Sequence, residues 1–285
     1  MKNIDFFFVS LLIQKRNMSS SIIDKTYKKL AVQVALDGLS FGVFDTLNNT
    51  PLLLKQVPFN SIQRSAKIED IMEEVYGDNP ELKHQYDEIA VIHSNNLSTF
   101  VPTALFDEEF IGSYLQYNTK VFETDFFTFD TLENYEMNHV YIPYVNMNNF
   151  FIDQYGSFDY KHAHTVLVSR LLDLSKNKEE RKMFVHMNES HFEIIVVQNQ
   201  KLLLFNSFEY KTPEDFIYYI LFTAEQLQLN PENFNLELLG NIQEDDVYFK
   251  IAYQYIRNVA LLDVSEKKNT FSDAENRSFF ILLNS

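Results

Sequence analysis

Residues Leu30 to Phe44 read LAVQVALDGLSFGVF. Leu30, Val32 and Val34 alternate with Ala31, Gln33 and Ala35; Leu39, Phe41 and Val43 then alternate with Ser40, Gly42 and Phe44. A period of two predicts two strands. Asp37-Gly38 between them predicts a hairpin turn, because Gly accepts positive φ cheaply. After the polar turn Thr46–Thr50, Pro51–Gln56 predicts a third strand through Leu52, Leu53 and Leu54. A helix is expected over Ser65–Tyr76, where Ile68, Ile71, Met72, Val75 and Tyr76 form one apolar stripe. Gly77 and Pro80 end it. Glu88–His93 then reads as a short buried strand.

The same pattern returns 153 residues later, since Met183 stands where Leu30 stood. Met183–Val197 reads MFVHMNESHFEIIVV. Met183, Val185 and Met187 take the places of Leu30, Val32 and Val34, and Phe192, Ile194 and Val196 those of Leu39, Phe41 and Val43. Asn199-Gln200 is a shorter turn, and Leu202–Leu204 match Leu52–Leu54. A helix follows, with Thr212 as N-cap, Pro213 in the first turn, and Glu214 and Asp215 complementing the helix dipole. Its face is Ile217, Ile220, Leu221 and Ala224, and Pro231 closes it. Asn235–Leu239 is a strand stopped by Gly240. Strand-hairpin-strand-strand-helix-strand thus occurs twice, which argues for a duplicated domain.

The rest of the chain is less regular. Helices are expected over Glu108–Gln116, Asn149–Tyr155, Val166–Leu174 and Asp245–Tyr255. Strands are expected at His139–Val145, with Pro143 favouring an edge, at Phe158–Thr165, and as closing strands at Val259–Leu262 and Phe279–Leu283. Ser265–Arg277 is polar and reads as a loop. Phe216–Phe222 (FIYYILF) is apolar all round, which predicts a helix buried on both sides, as at a domain or subunit interface.

Composition bounds the function. Hydrophobic residues make up 46% of 285, enough for a large core. Cys 0 excludes disulfides and thiolate chemistry and fits a reducing compartment. A net charge of −16 disfavours nucleic-acid and anionic-membrane partners. Phe6–Ile13 is too short to span a membrane, Asp5 interrupts a signal-like n-region, and Gln14, Lys15 and Arg16 stand where a cleavage site would be. Met18 would serve as an alternative start, and cytoplasmic location is expected.

Three antiparallel strands, a helix, and a strand parallel to the first resemble the opening of a ribonuclease-H-like domain. Two in tandem resemble the actin, Hsp70 and hexokinase superfold. Within it, LAVQVALDGLSFGVFD and its second occurrence resemble domain-of-unknown-function family 3822, over about residues 20–262. The resemblance implies an α/β fold of two tandem ribonuclease-H-like domains (the actin-like ATPase fold), with mixed β-β-β-α-β sheets. The limits expected are an N-terminal extension, disordered or non-native, at 1–20, a first domain at 21–176, and a second with C-terminal tail at 177–285.

The superfold binds ATP between its domains, and its phosphate loops are hairpins carrying Asp, Gly and a Ser or Thr. Asp37, Gly38 and Ser40 are the matching positions in the first hairpin; Asn188 and Ser190 stand in the second, which has no Gly. Phosphate needs close approach to free N–H groups, which Gly permits, and Glu189 adds a repelling charge. The adenosine motif is normally a Gly pair; here Gly240 stands alone, followed by Glu244, Asp245 and Asp246. As a hairpin turn and a strand stop, Asp37-Gly38 and Gly240 also have plain structural readings.

Other chemistry finds less support. A ribonuclease-H-type nuclease needs converging carboxylates on two metals, and the strand interiors hold Gln33 and His186 instead. His162 and His164 on one strand face could bind zinc or iron with a third ligand, though a H-x-H match is cheap; His186 and His191 flank the second hairpin. No G-x-S-x-G, P-loop or G-x-G-x-x-G occurs. The reading is a cytoplasmic binding or scaffold module with a degraded nucleotide site, no catalytic residue and no resident cofactor or metal. It would recruit an unknown protein partner or its own copies. The alternatives are an ATP-binding protein (ATP with Mg²⁺) with slow or no hydrolysis, and a metal-dependent nuclease.

Overall fold

The computed structural model describes residues 25–59, 67–117, 119–122, 124–265 and 269–285. The N-terminal extension, Met18 and the first residues of the helix expected from Ser65 lie outside them. The chain forms β1 (Lys28–Val34), β2 (Gly38–Asp45), β3 (Thr50–Pro58), α1 (Ile68–Asp78), β4 (Glu88–His93), β5 (Ser98–Pro102), α2 (Ile111–Leu115), β6 (Thr128–Leu132), β7 (Met137–Tyr141), α3 (Val145–Tyr155), β8 (Asp159–His162) and α4 (Ala163–Leu174). It continues with β9 (Lys182–Met187), β10 (His191–Gln198), β11 (Lys201–Glu209), α5 (Pro213–Gln226), β12 (Asn235–Gly240), α6 (Val247–Tyr255), β13 (Asn258–Leu261) and α7 (Asp273–Ser278).

Two five-stranded sheets share one order. The first is β3-β2-β1-β4-β8, the second β11-β10-β9-β12-β13. In each, the first three strands are antiparallel and the last two join in parallel. The likeness reaches the register. Leu30 faces Val43 and Met183 faces Val196. The pairing of the third strand slips between Val43 and Phe44 in one sheet and between Val196 and Val197 in the other. A bulge is a local, sequence-sensitive irregularity, and here it recurs at matching positions of the two sheets. One detail of the sequence alignment shifts by a residue. Leu53 faces Val43 as Leu204 faces Val196, so Leu204 answers to Leu53 rather than to Leu54. The cause is turn length, four residues after Asp45 against two after Gln198. Asn199 and Gln200 both take positive φ, 44° and 63°, as a two-residue hairpin demands.

Gly38 does not owe its place to positive φ. A Cβ there would lie 3.0 Å from the Val57 carbonyl oxygen, so glycine lets β3 come close. Between the halves, α4 is buried along most of its length and carries a core shared by both sheets, including Ala31 and Ile92 from the first and Phe184, Ile195 and Leu239 from the second. Each of the larger of these side chains, removed from water, contributes roughly 1.5–3 kcal/mol.

Several expected elements differ. The strand expected over Phe158–Thr165 ends at His162 and α4 begins at Ala163, so His162 and His164 do not share a strand face. Phe279–Leu283 is not a closing strand; it follows α7 into a short 3₁₀ turn, where Phe280, Ile281 and Leu282 plug the shared core. Within Ser265–Arg277, Ser272 and Glu275 form a capping box that starts α7. The helix expected at Glu108–Gln116 is a 3₁₀ turn followed by α2. Helix α3 starts four residues earlier than expected, at Val145, and the strand around His139 is Met137–Tyr141. Strands β5 and β6, unexpected from the sequence, pair with β7 in a small antiparallel sheet ordered β5-β7-β6. Helix α5 is not buried on both sides: Phe216, Ile217 and Ile220 face the core while Tyr218 and Phe222 are exposed.

Candidate functional site

A cleft of about 440 Å³ opens between the β1–β2 and β9–β10 turns. Asp37, Gly38, Ser40 and Asn188 line it, as do Glu189, His191 and Asn241. Ser190 and Gly240 do not. Gly240 has φ +85°, and a Cβ on it would lie 2.3 Å from the Met187 carbonyl oxygen. Its glycine is required by the close approach of β12 to the end of β9.

Strand register fixes which residues correspond. Leu39 pairs with Val34 as Phe192 pairs with Met187. His191 therefore stands where Gly38 stands, Glu193 where Ser40 stands, and Ser190 answers to Asp37. Directly opposite on the first strand, Gln33 faces Ser40 and His186 faces Glu193. A neutral pair in the first half is a carboxylate–imidazole pair in the second.

Glu193 is the centre of that second pair. It is 1% exposed. Its Oε2 lies 2.8 Å from His186 Nδ1, its Oε1 lies 3.1 Å from His191 Nε2 and 3.3 Å from His164 Nε2. Asn188 Nδ2 donates to both oxygens, at 3.0 and 3.2 Å. Burial pushes the Glu193 carboxyl up, but the hydrogen bonds from His164, His186 and His191 outweigh it and hold the group well below the usual carboxylate range. For His191, burial works against the cation, yet the bond to Glu193 and its charge win and raise the imidazole. The second hairpin thus closes on an internal ion pair, and the Asn188 amide is turned to it.

From His164 the polar network crosses into the first half. His139, His162 and His164 are all buried, and their ring nitrogens come within 4.8 Å of one another. Among the described residues they form the group of three or more potential metal ligands that converges. The hydrogen bonds show what each nitrogen does. Thr165 gives its hydroxyl proton to Asp130, so His139 Nδ1 donates to Thr165 Oγ1 at 2.8 Å. His139 Nε2 is then a buried lone pair without a partner among the described residues. His162 Nδ1 accepts from the His164 N–H at 3.1 Å, capping α4, which places its proton on Nε2. His164 Nε2 faces Glu193 and its Nδ1 faces Ser98 Oγ at 3.1 Å. One free lone pair among three rings does not make a zinc site, which needs several deprotonated nitrogens turned to one point. The rings act as a core. Burial pushes His139 and His162 well below their ordinary value, and His93, bonded to Asn148 at 2.9 Å, down to about 4.

The carboxylates lining the cleft are Asp37 and Glu189, both at turns, while Gln33 and His186 hold the strand positions. A two-metal nuclease centre is therefore not supported. The sequence reading missed Glu193 and His139. The signal for Glu193 was present, since a carboxylate inside the apolar run HFEIIVVQ demands a buried partner.

Among the described residues no helix is long and apolar enough to cross a membrane. No curated protein matches the chain by sequence. A crystal structure from Bacteroides thetaiotaomicron, of a protein with actin-like ATPase fold and unknown function, is similar with a TM-score of 0.77 at 21% identity, covering 93% of this chain and 100% of that one. A PilM-PilN type IV pilus biogenesis complex is similar at 0.55 and 12% identity, covering 90% and 96%. The fold is thus that of the actin-like ATPases. Residues 17–259 match the family described as protein of unknown function (DUF3822), and the chain belongs to it.

Proposed function

We propose that this chain is a non-catalytic binding or scaffold module, a pseudo-ATPase of two domains, 21–176 and 177–285, acting in the cytoplasm on a protein partner. The observation that carries the reading is the substitution of the second phosphate loop. Where the first hairpin has Gly38 and Ser40, the second has His191 and Glu193, and these are spent on one another. A side chain at the glycine position keeps a phosphate from the backbone N–H groups, and the buried Glu193 charge repels it. The PilM-PilN complex, similar in fold, supports assembly with a protein as a use of such a fold.

A second reading, ATP binding with slow or no hydrolysis, draws on the cleft itself, whose volume of about 440 Å³ lies in the range of small-molecule sites. Calorimetry of the full chain with ATP and Mg²⁺ decides between them. The scaffold reading expects no heat of binding up to roughly millimolar nucleotide. Micromolar binding lost in Asp37→Ala would overturn it.

A further inference from the structure

A second groove, of about 530 Å³, runs between β5 and β11. Its walls are lined by consecutive residues, Ser98 to Phe100 on one side and Leu202 to Ser207 on the other. Side chains alternate across a strand, so a wall made of consecutive residues is a strand edge. Both are edges by topology, since among the described residues β5 pairs only with β7 and β11 only with β10.

The register says which main-chain groups look into the groove. Ile142 N–H donates to Leu97 O, and Thr103 N–H to Glu136 O. Bonded pairs recur every second residue in an antiparallel ladder, so Thr99 and Val101 bond to β7 while Ser98 and Phe100 point away from it. Pro102, next in that outward set, has no N–H to lose. On the other wall, Asn188 N–H donates to His191 O, which assigns His191, Glu193 and Ile195 to β9 and Phe192, Ile194 and Val196 to β11. Their β11 partners are Phe208, Asn206 and Leu204, so Phe205 and Ser207 point outward. The Ser207 N–H is taken by Asn206 Oδ1 at 2.9 Å, as an outward group would be. The main-chain N–H groups of Ser98, Phe100 and Phe205 have no partner among the described residues.

The floor is aromatic. Phe100 stacks on His139 with ring centroids 4.2 Å apart, and meets Phe205 at 5.1 Å. The remaining lining holds one carboxylate, Glu209, and no Lys or Arg. Soluble proteins block unpaired edges with inward charge, bulges or cover; these two face each other across an aromatic floor with none along Ser98–Phe100.

We infer that this groove takes an extended segment of a partner protein, held by main-chain hydrogen bonds to Ser98 and Phe100 of β5 and to Phe205 of β11. The segment carries apolar side chains at alternate positions over the Phe100–Phe205 floor and a Lys or Arg toward Glu209. Strand addition to a free edge is a general mode of peptide capture, with affinity from the backbone and selectivity from alternate side chains. Here it would join the small sheet of the first half to the large sheet of the second, so binding and the angle between the halves are coupled. The inference rests on the scaffold reading and supplies the class of its partner.

The test pans a phage-displayed library of linear octapeptides on the full chain and follows the best binder by amide hydrogen exchange. In the free protein, Ser98, Phe100 and Phe205 should exchange faster than Thr99 and Val101. The bound octapeptide, enriched in Lys or Arg, should slow those three amides by about tenfold or more. N-methylation at alternate positions of the peptide should abolish binding in one register and spare it in the other. Equal protection of Phe100 and Val101 in the free chain, no binder at or below about 100 μM, protection elsewhere, or loss of binding in both N-methyl registers would each overturn the inference. So would concentration-dependent self-association that protects the same amides, since the occupant would then be a second copy. Binding of ATP and Mg²⁺ in the calorimeter would remove the scaffold reading while leaving the exchange result intact, so the two failures are distinguishable.

Discussion

The histidine core makes folding stability depend on pH with a defined sign. His93, His139 and His162 are buried and neutral, pushed down by burial, His93 to about 4 and the other two well below their ordinary value. In the unfolded chain each titrates near 6.5. Between pH 5 and 6 the unfolded chain therefore binds about three more protons than the native one, and stability rises with pH. The groups that face them do not cancel this. Glu193 is already charged, and its lowered value means that its own contribution is lost only as the pH falls through that value, in the same direction. His191, raised, is protonated in both states below pH 6. Asp130, raised chiefly by burial, opposes the trend, as one group against three. Three protons at about 1.4 kcal/mol per unit each give a slope of about 4 kcal/mol per pH unit. A domain with a total of roughly 5–15 kcal/mol loses much of it between pH 6 and 5. Urea melts at pH 6.5, 6.0, 5.5 and 5.0 measure the slope, and His93→Gln, which keeps a partner for Asn148, should cut it by about a third. A slope below about 1 kcal/mol per unit, equivalent to fewer than one proton, would refute the neutral-core argument.

Other outcomes follow from single sites. Glu193→Gln leaves the His191 cation unpaired and should cost about 3–5 kcal/mol at pH 7, with the His191 imidazole moving down when its titration is followed by NMR. Gly240→Ala puts a methyl 2.3 Å from the Met187 carbonyl oxygen at φ +85° and should cost about 3 kcal/mol or more in chemical denaturation. Gly77→Ala, in a helix with nothing within 4 Å of the new Cβ, should instead stabilise by about 0.5–1 kcal/mol in the same assay. Thr212→Ala removes the capping box of α5 and should cost about 1 kcal/mol.

The two large sheets were legible because their strands are long, alternate cleanly, and repeat. Leu30–Val34 against Leu39–Val43 needs no tertiary information to be read as a hairpin, and Met183–Met187 against Phe192–Val196 repeats it. The small sheet was not legible. Its strands are five residues each, and STFVP and TFDTL have neither a sustained period nor turn residues that single them out. The C-terminal error has a different cause. Phe279–Leu283 is apolar because it plugs the core under α4, and a short apolar run cannot say whether it is a strand or the end of a helix.

The candidate site was hidden for a further reason, and it bears on what the site is for. Five of the seven histidines, all but His84 and His93, enter one network spread over β7, β8, α4, β9 and β10. They fall as one single histidine and two short-range pairs, His162/His164 and His186/His191, so spacing motifs cannot detect the network. Only the convergence of both sheets on the first turn of α4 brings His139, His162 and His164 to Glu193. This junction lies where the two halves share a core. Here it is filled by stacked rings and an internal ion pair whose separation would strand a buried charge, at a cost of several kcal/mol. The junction between the halves is thus packed as a clamp, which agrees with the scaffold reading proposed above. What remains free to respond is the outer side of it, where Phe100 rests on His139 and the β5 and β11 edges stand open to an added strand.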